Sequence, residues 1–167
     1  MKRIFRCIAA FLFLLYILFL PGRAESANAS VYHNLRNYTV DDGLSSNHVY
    51  GIVQDSIGFI WFGTDNGLCR FDGCEFRSYT HTDGDRSSIS SNNIRRLMLD
   101  SHGQIWLALD NGVDIYTPAT ARFRHFDVRT SDGACVTGQT TEVIADREGA
   151  IWIATVNSGL FRWNPVT

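Results

Sequence analysis

Residues 55–71 read DSIGFIWFGTDNGLCRF, and the chain writes that stretch three times. Residues 100–116 read DSHGQIWLALDNGVDIY, and 146–163 read DREGAIWIATVNSGLFRW, with one residue added before the second glycine. Trp61, Trp106 and Trp152 stand 45 and then 46 residues apart, and Asp55, Asp100 and Asp146 keep the same steps. So do the first glycines, Gly58, Gly103 and Gly149; the second set is Gly67, Gly112 and Gly159. A period in the forties that holds three residue types in register marks a repeat architecture, each copy one supersecondary unit.

Within a copy the residues read as short strands parted by turns. Residues 49–54 (VYGIVQ) are β-branched and aromatic, and 55–58 carry turn chemistry. Residues 60–64 (IWFGT) form an apolar run, Asp65, Asn66 and Gly67 a turn, and 68–71 a third strand. Asp72-Gly73 reads as a two-residue hairpin and 75–79 as a fourth strand. Four strands in about 45 residues make one propeller blade. The unbroken apolar character of IWFGT, IWLAL and IWIAT fits strands covered on both faces, as blade stacking requires. The expected fold is all-β: a partial β-propeller of about three four-stranded blades, at about 48–80, 92–127 and 139–167.

Ahead of the blades, residues 1–29 have the form of a helical signal peptide. Lys2, Arg3 and Arg6 precede an apolar run over 8–20, and Ala27-Asn28-Ala29 offers a small-residue cleavage site. That run is shorter than the roughly 20 residues that span a bilayer. The mature chain is therefore expected to be exported. Residues 30–47 supply a leading strand and a loop. The segment 31–38 (VYHNLRNY) aligns with the last strands of blades one and two, which predicts an outer strand that closes the ring on the final blade. The alternative is a strand that caps blade one.

Cleavage would leave 11 basic and 16 acidic residues, a net charge of about −5 with histidines neutral. An acidic exported domain has no electrostatic footprint for nucleic acid. With 45% hydrophobic and 13% aromatic residues the chain is globular. Residues after 29 amount to three blades, whereas closed propellers use about four to eight. Each blade hides its faces only against neighbours, so an open arc would leave two apolar faces wet. The expectation is an N-terminal piece of a longer protein, one that alone would aggregate, oligomerise or bind hydrophobic dye.

The repeated residues Asp55, Gly58, Trp61, Gly67, Asp100, Gly103, Trp106, Gly112, Asp146, Gly149, Trp152 and Gly159 are expected to be structural. The aspartate caps its turn's amides, the glycine takes an unusual dihedral, and the tryptophan fills the space between blades. In a propeller the loops between blades and those joining second to third strands share one rim. That rim would present Asn47, His48, Asp65, Asn66, Asn92, Asn93, Arg95, Asp110, Asn111, Asn157 and Ser158. Their amides, carboxylates and guanidinium suit paired hydrogen bonds to a polyol ligand, although Asn-Gly is also favoured by turn geometry alone. His33, His48, His81, His102 and His125 show no metal-ligand spacing, no nucleophile motif is present, and no metal or cofactor is expected. Cys69, Cys74 and Cys135 would remain after cleavage. With Asp72-Gly73 as the hairpin, Cys69 and Cys74 would lie diagonally, poorly aligned for a bridge.

These motifs, above all DSIGFIWFGTDNGL, resemble the two-component regulator propeller repeat, and the opening NYTVDDGLSSNHVYGIVQD is similar to the way such sensors begin. Ala108 and Ala154 depart from the glycine that the family prefers, a change of packing. The resemblance implies the periplasmic sensor portion of a hybrid histidine kinase anchored in the inner membrane. It also implies an oligosaccharide ligand, a homodimeric parent, and kinase parts that are absent from this chain. The rival readings are an exported propeller lyase or glycosidase, for which the rim offers only His48, and a secreted interaction propeller.

Overall fold

The computed structural model describes residues 35–127, 129 and 138–165. The chain divides into two compact units, Met1–Arg36 and Asn37–Thr167. The signal peptide, the first half of the leading strand (31–34) and Cys135 lie outside the described residues.

Among its described residues the second unit has eleven strands. β1 (Val49–Gln54), β2 (Ile60–Thr64), β3 (Gly67–Phe71) and β4 (Phe76–Tyr79) form the first antiparallel sheet in chain order. β5 (Ile94–Leu99), β6 (Ile105–Leu109), β7 (Gly112–Thr117) and β8 (Arg122–Phe126) form the second. β9 (Thr140–Ala145), β10 (Ile151–Thr155) and β11 (Leu160–Trp163) form the third, which has three strands among the described residues where four were expected. Each sheet is one blade, and the first strands of successive blades stand side by side.

The acidic turn that opens every copy does more than cap itself. One carboxylate oxygen of Asp55 accepts the amides of Ile57, Gly58 and Phe59, each at 3.0 Å. Its other oxygen accepts the indole N–H of Trp61 at 2.8 Å. Asp100 and Asp146 hold Trp106 and Trp152 in the same way, each at 2.9 Å. A buried indole N–H needs an acceptor, and the turn supplies it. Asp55→Asn would set an amide N–H₂ against that indole or surrender the backbone bonds. The expected loss is about 1.5–3 kcal/mol, measurable by urea denaturation.

Trp61 and Trp106 each face the following blade. Trp61 packs with Leu68 against Ile94, Leu107 and Tyr116 of blade two. Trp106 packs with Val113 and Ile115 against Val143, Ile151 and Ile153 of blade three. The Trp152 face of blade three is open, with Ile144 52% and Leu160 61% exposed beside a shallow apolar hollow. On the opposite face of blade one Ile52 is 63% exposed. There Tyr38, Phe71 and Phe76 make a ring cluster.

One local expectation is corrected. Phe71 pairs with Phe76, not with Cys74, so the hairpin loop has four residues, 72–75. Asp72 Oδ1 accepts the amides of Cys74 and Glu75 at 2.9 and 2.8 Å, which favours this longer turn. Cys74 is therefore exposed in the loop while Cys69 is buried in β3, and both are free thiols. The described end of the leading segment, 35–38, pairs with no sheet. Tyr38 packs its ring on Phe71 and Phe76 of blade one, and the rest of the expected strand, 31–34, lies outside the described residues. A capped 3-10 turn, Val40–Asp42, follows it.

Candidate functional site

The register places the starts of β1, β5 and β9 beside the β2–β3, β6–β7 and β10–β11 turns. The rim residues singled out in the sequence therefore gather at one end of the blades. Most of their amides are occupied. Asn66 Nδ2 donates to the Ser45 carbonyl at 3.0 Å, and Asn111 Nδ2 repeats this with Ser90 at 2.9 Å. Asn47 Oδ1 accepts the Val40 amide at 3.0 Å. Asn92 accepts the His81 amide on its side chain and the Gly67 amide on its carbonyl, at 2.6 and 2.7 Å. These residues staple the loops between blades to the turns beside them.

What remains for a ligand is smaller. Asp110, Asn157 and Ser158 are exposed on their turns. Asn93 Oδ1 and Arg95 Nε are buried with no hydrogen-bond partner. His48 Nδ1 donates to Asp65 Oδ2 at 2.7 Å. The Ser46 hydroxyl and His48 hold the Asp65 carboxyl below the usual carboxylate range. This pair is an exposed acceptor and donor set at the start of blade one.

A second polar cluster escaped the sequence reading. Asp114, 1% exposed in β7, accepts the Ser90 amide at 2.7 Å, the Ser90 hydroxyl at 3.0 Å and His125 Nδ1 at 2.8 Å. The signal was an aspartate inside the otherwise apolar stretch GVDIY. Ser90 directs its hydroxyl to the carboxylate and not to the imidazole, so the cluster is no nucleophile relay. It anchors the loop over 80–93, whose Ile89 is fully buried. Among the described residues no group of His, Cys, Asp and Glu could hold a metal ion. At the other end of the blades a cavity of about 540 Å³ lies between blades two and three, floored by Trp106 and Trp163 and walled by Asp100 and Asp146.

The same loop carries a titrating group. His81 Nδ1 donates to the Ile89 carbonyl at 2.7 Å, and Nε2 meets Asp83 at 3.1 Å. The Ile89 carbonyl first, then Asp83, raise the His81 pKa above its ordinary value. A raised folded-state pKa gives stability that is complete below the unfolded value and fades as pH climbs through the folded one. The thermal midpoint should therefore fall as pH rises above the ordinary imidazole value of about 6.5, and His81→Gln should flatten that slope.

Three stacked antiparallel blades, the third with three strands among the described residues, share a once-per-blade Asp–Trp clasp and define part of a β-propeller. Residues 43–66 and 88–111 match the family model of the two component regulator propeller. The fold is similar to the extracellular domain of BT3049, assigned as a hybrid two-component system of B. thetaiotaomicron. The TM-score is 0.71 at 27% identity, over 78% of this chain and 19% of that one. The equivalent domain of BT4673 from the same organism gives 0.60 at 32% identity, over 70% of this chain and 16% of that one. A stretch of 54 residues is 44% identical to histidine kinase P4 of Formosa agariphila, covering 32% of this chain and 4% of that protein. The chain thus spans a small part of the relatives that it matches. No helix among the described residues is long and apolar enough to cross a membrane.

Proposed function

We propose that this chain is part of the extracellular sensor propeller of a two-component signalling protein, exported to the periplasm, and that it recognises an oligosaccharide while catalysis belongs to other segments. The observation that carries the reading is the coincidence of repeat and architecture. Two stretches of this chain match the two component regulator propeller, and solved domains of similar fold are extracellular parts of two-component systems. The rim supports the ligand class, because Asp110 stands exposed on a turn that the Asn111 staple holds, and Asn157 and Ser158 stand exposed on the matching turn of blade three. In the whole protein the propeller would be joined to kinase segments and paired in a homodimer.

The test is a reporter driven by the signalling protein in living cells, challenged with a panel of polysaccharide digests. Induction by one digest, lost in the triple variant Asp110→Ala, Asn157→Ala and Ser158→Ala at unchanged protein level, is the expected result. Output that ignores every digest, or that survives the triple variant, would sink the reading.

A further inference from the structure

The innermost strand of every blade carries one residue too many, and at the same place. Val49 pairs with Thr64 and Gly51 with Gly63, which leaves Tyr50 unmatched. Ile94 pairs with Leu109 and Arg96 with Ala108, which leaves Arg95 unmatched. Thr140 pairs with Thr155 and Glu142 with Ala154, which leaves Thr141 unmatched. Tyr50, Arg95 and Thr141 are 45 and 46 residues apart, the spacing of the tryptophans, so the bulge belongs to the repeat. A bulged residue is released from the ladder, and its side chain is aimed anew.

Framework positions repeat their residue from blade to blade, as Asp and Trp do. The bulge positions carry a phenol, a guanidinium and a hydroxyl instead. Because β1, β5 and β9 stand side by side, these three groups form a row. The Arg95 guanidinium lies 6.0 Å from the centre of the Tyr50 ring, and its Nε is buried without a partner. Its neighbour Arg96 is already neutralised by Glu142 at 3.2 Å. Tyr50 is 39% exposed, and Thr141 is exposed with its hydroxyl donating to the Ala154 carbonyl at 3.3 Å. That hydroxyl keeps its acceptor capacity.

A guanidinium is a rigid fork matched to a carboxylate, and it gains most where no protein carboxylate has already claimed it. An exposed tyrosine ring beside it offers an apolar face to the C–H side of a pyranose and a hydroxyl to its rim. We propose that Tyr50, Arg95 and Thr141 form a subsite for a carboxylate-bearing saccharide, with Arg95 taking the carboxylate of a uronic acid unit. The subsite deepens the sensor reading and rests on it.

The full chain is titrated calorimetrically with trigalacturonate, with maltotriose as the neutral trisaccharide and with acetate as a carboxylate without a sugar. Trigalacturonate should bind at least tenfold more tightly than either, and its affinity should fall as salt rises. Arg95→Gln should cost at least tenfold for trigalacturonate and leave maltotriose unchanged. Tyr50→Ala, at an exposed position, should weaken it as well, with the thermal midpoint of both variants near that of the parent. Equal affinity for the charged and neutral trisaccharides, or unchanged trigalacturonate affinity in both variants, overturns the subsite and leaves the sensor reading standing. Binding of acetate as tight as that of trigalacturonate, or no binding of trigalacturonate, also overturns it, whatever the cell reporter shows.

Discussion

Trp106→Ala is expected to lower stability by about 3–5 kcal/mol, the range for removing a buried large aromatic. The indole is 1% exposed, held at one end by Asp100 and packed on Phe126 and Trp163 with ring centroids 5.0 and 5.6 Å away. Its removal opens a void between two blades and strips a carboxylate oxygen of its donor. Total stability of a domain is about 5–15 kcal/mol, so this one change should remove a large fraction of it. Denaturant unfolding followed by circular dichroism measures the loss. A cost under about 1 kcal/mol would show that the tryptophan does not join the blades.

Gly67→Ala should be nearly as damaging, whereas Gly112→Ala at the matching place in blade two should be mild. Gly67 has a φ of +96°, and a Cβ there would run into the Tyr79 carbonyl oxygen, which is backbone and cannot swing aside. Its amide also donates to Asn92 across the gap to blade two at 2.7 Å. Left-handed strain plus displaced backbone should cost about 2–4 kcal/mol. Gly112 also has a positive φ, +143°, but a Cβ there meets nothing within 4 Å. Its replacement should cost only about 1 kcal/mol. Parallel thermal melts of the two variants check the contrast, and equal midpoints would refute it.

The blades were legible because three anchors keep register through the chain, and chance does not produce that. The strand bounds of 49–54 and 60–64 followed from apolar runs and turn residues. The Asp–Trp clasp was within reach too, since Asp55 precedes Trp61 by the same interval in every copy. It was missed because a turn aspartate is ordinarily satisfied by its own backbone. The hairpin at Asp72 misled for a related reason. Asp-Gly favours a two-residue loop, but Asp72 spends its carboxylate on Cys74 and Glu75 and draws two more residues into the turn. At the rim, residue type gave position but not availability. Asn66 and Asn111 looked like ligand groups, yet both are consumed by carbonyls 21 residues earlier, contacts that only the folded chain reveals. Tyr50, Arg95 and Thr141 carried no pattern to the eye because a bulge is a fact of pairing, and pairing is not written in one strand.

At both joints the clasped tryptophan looks toward the higher-numbered blade, which meets it with aliphatic side chains, Ile94 with Leu107 and Val143 with Ile153. The joint between units is therefore directional, a plug and a socket that every copy owns. Duplicating or excising one period of the gene would bring a familiar plug to a familiar socket. Such a lineage can change the circumference of its ring, and with it the bore at the centre, without ever having to invent a new contact.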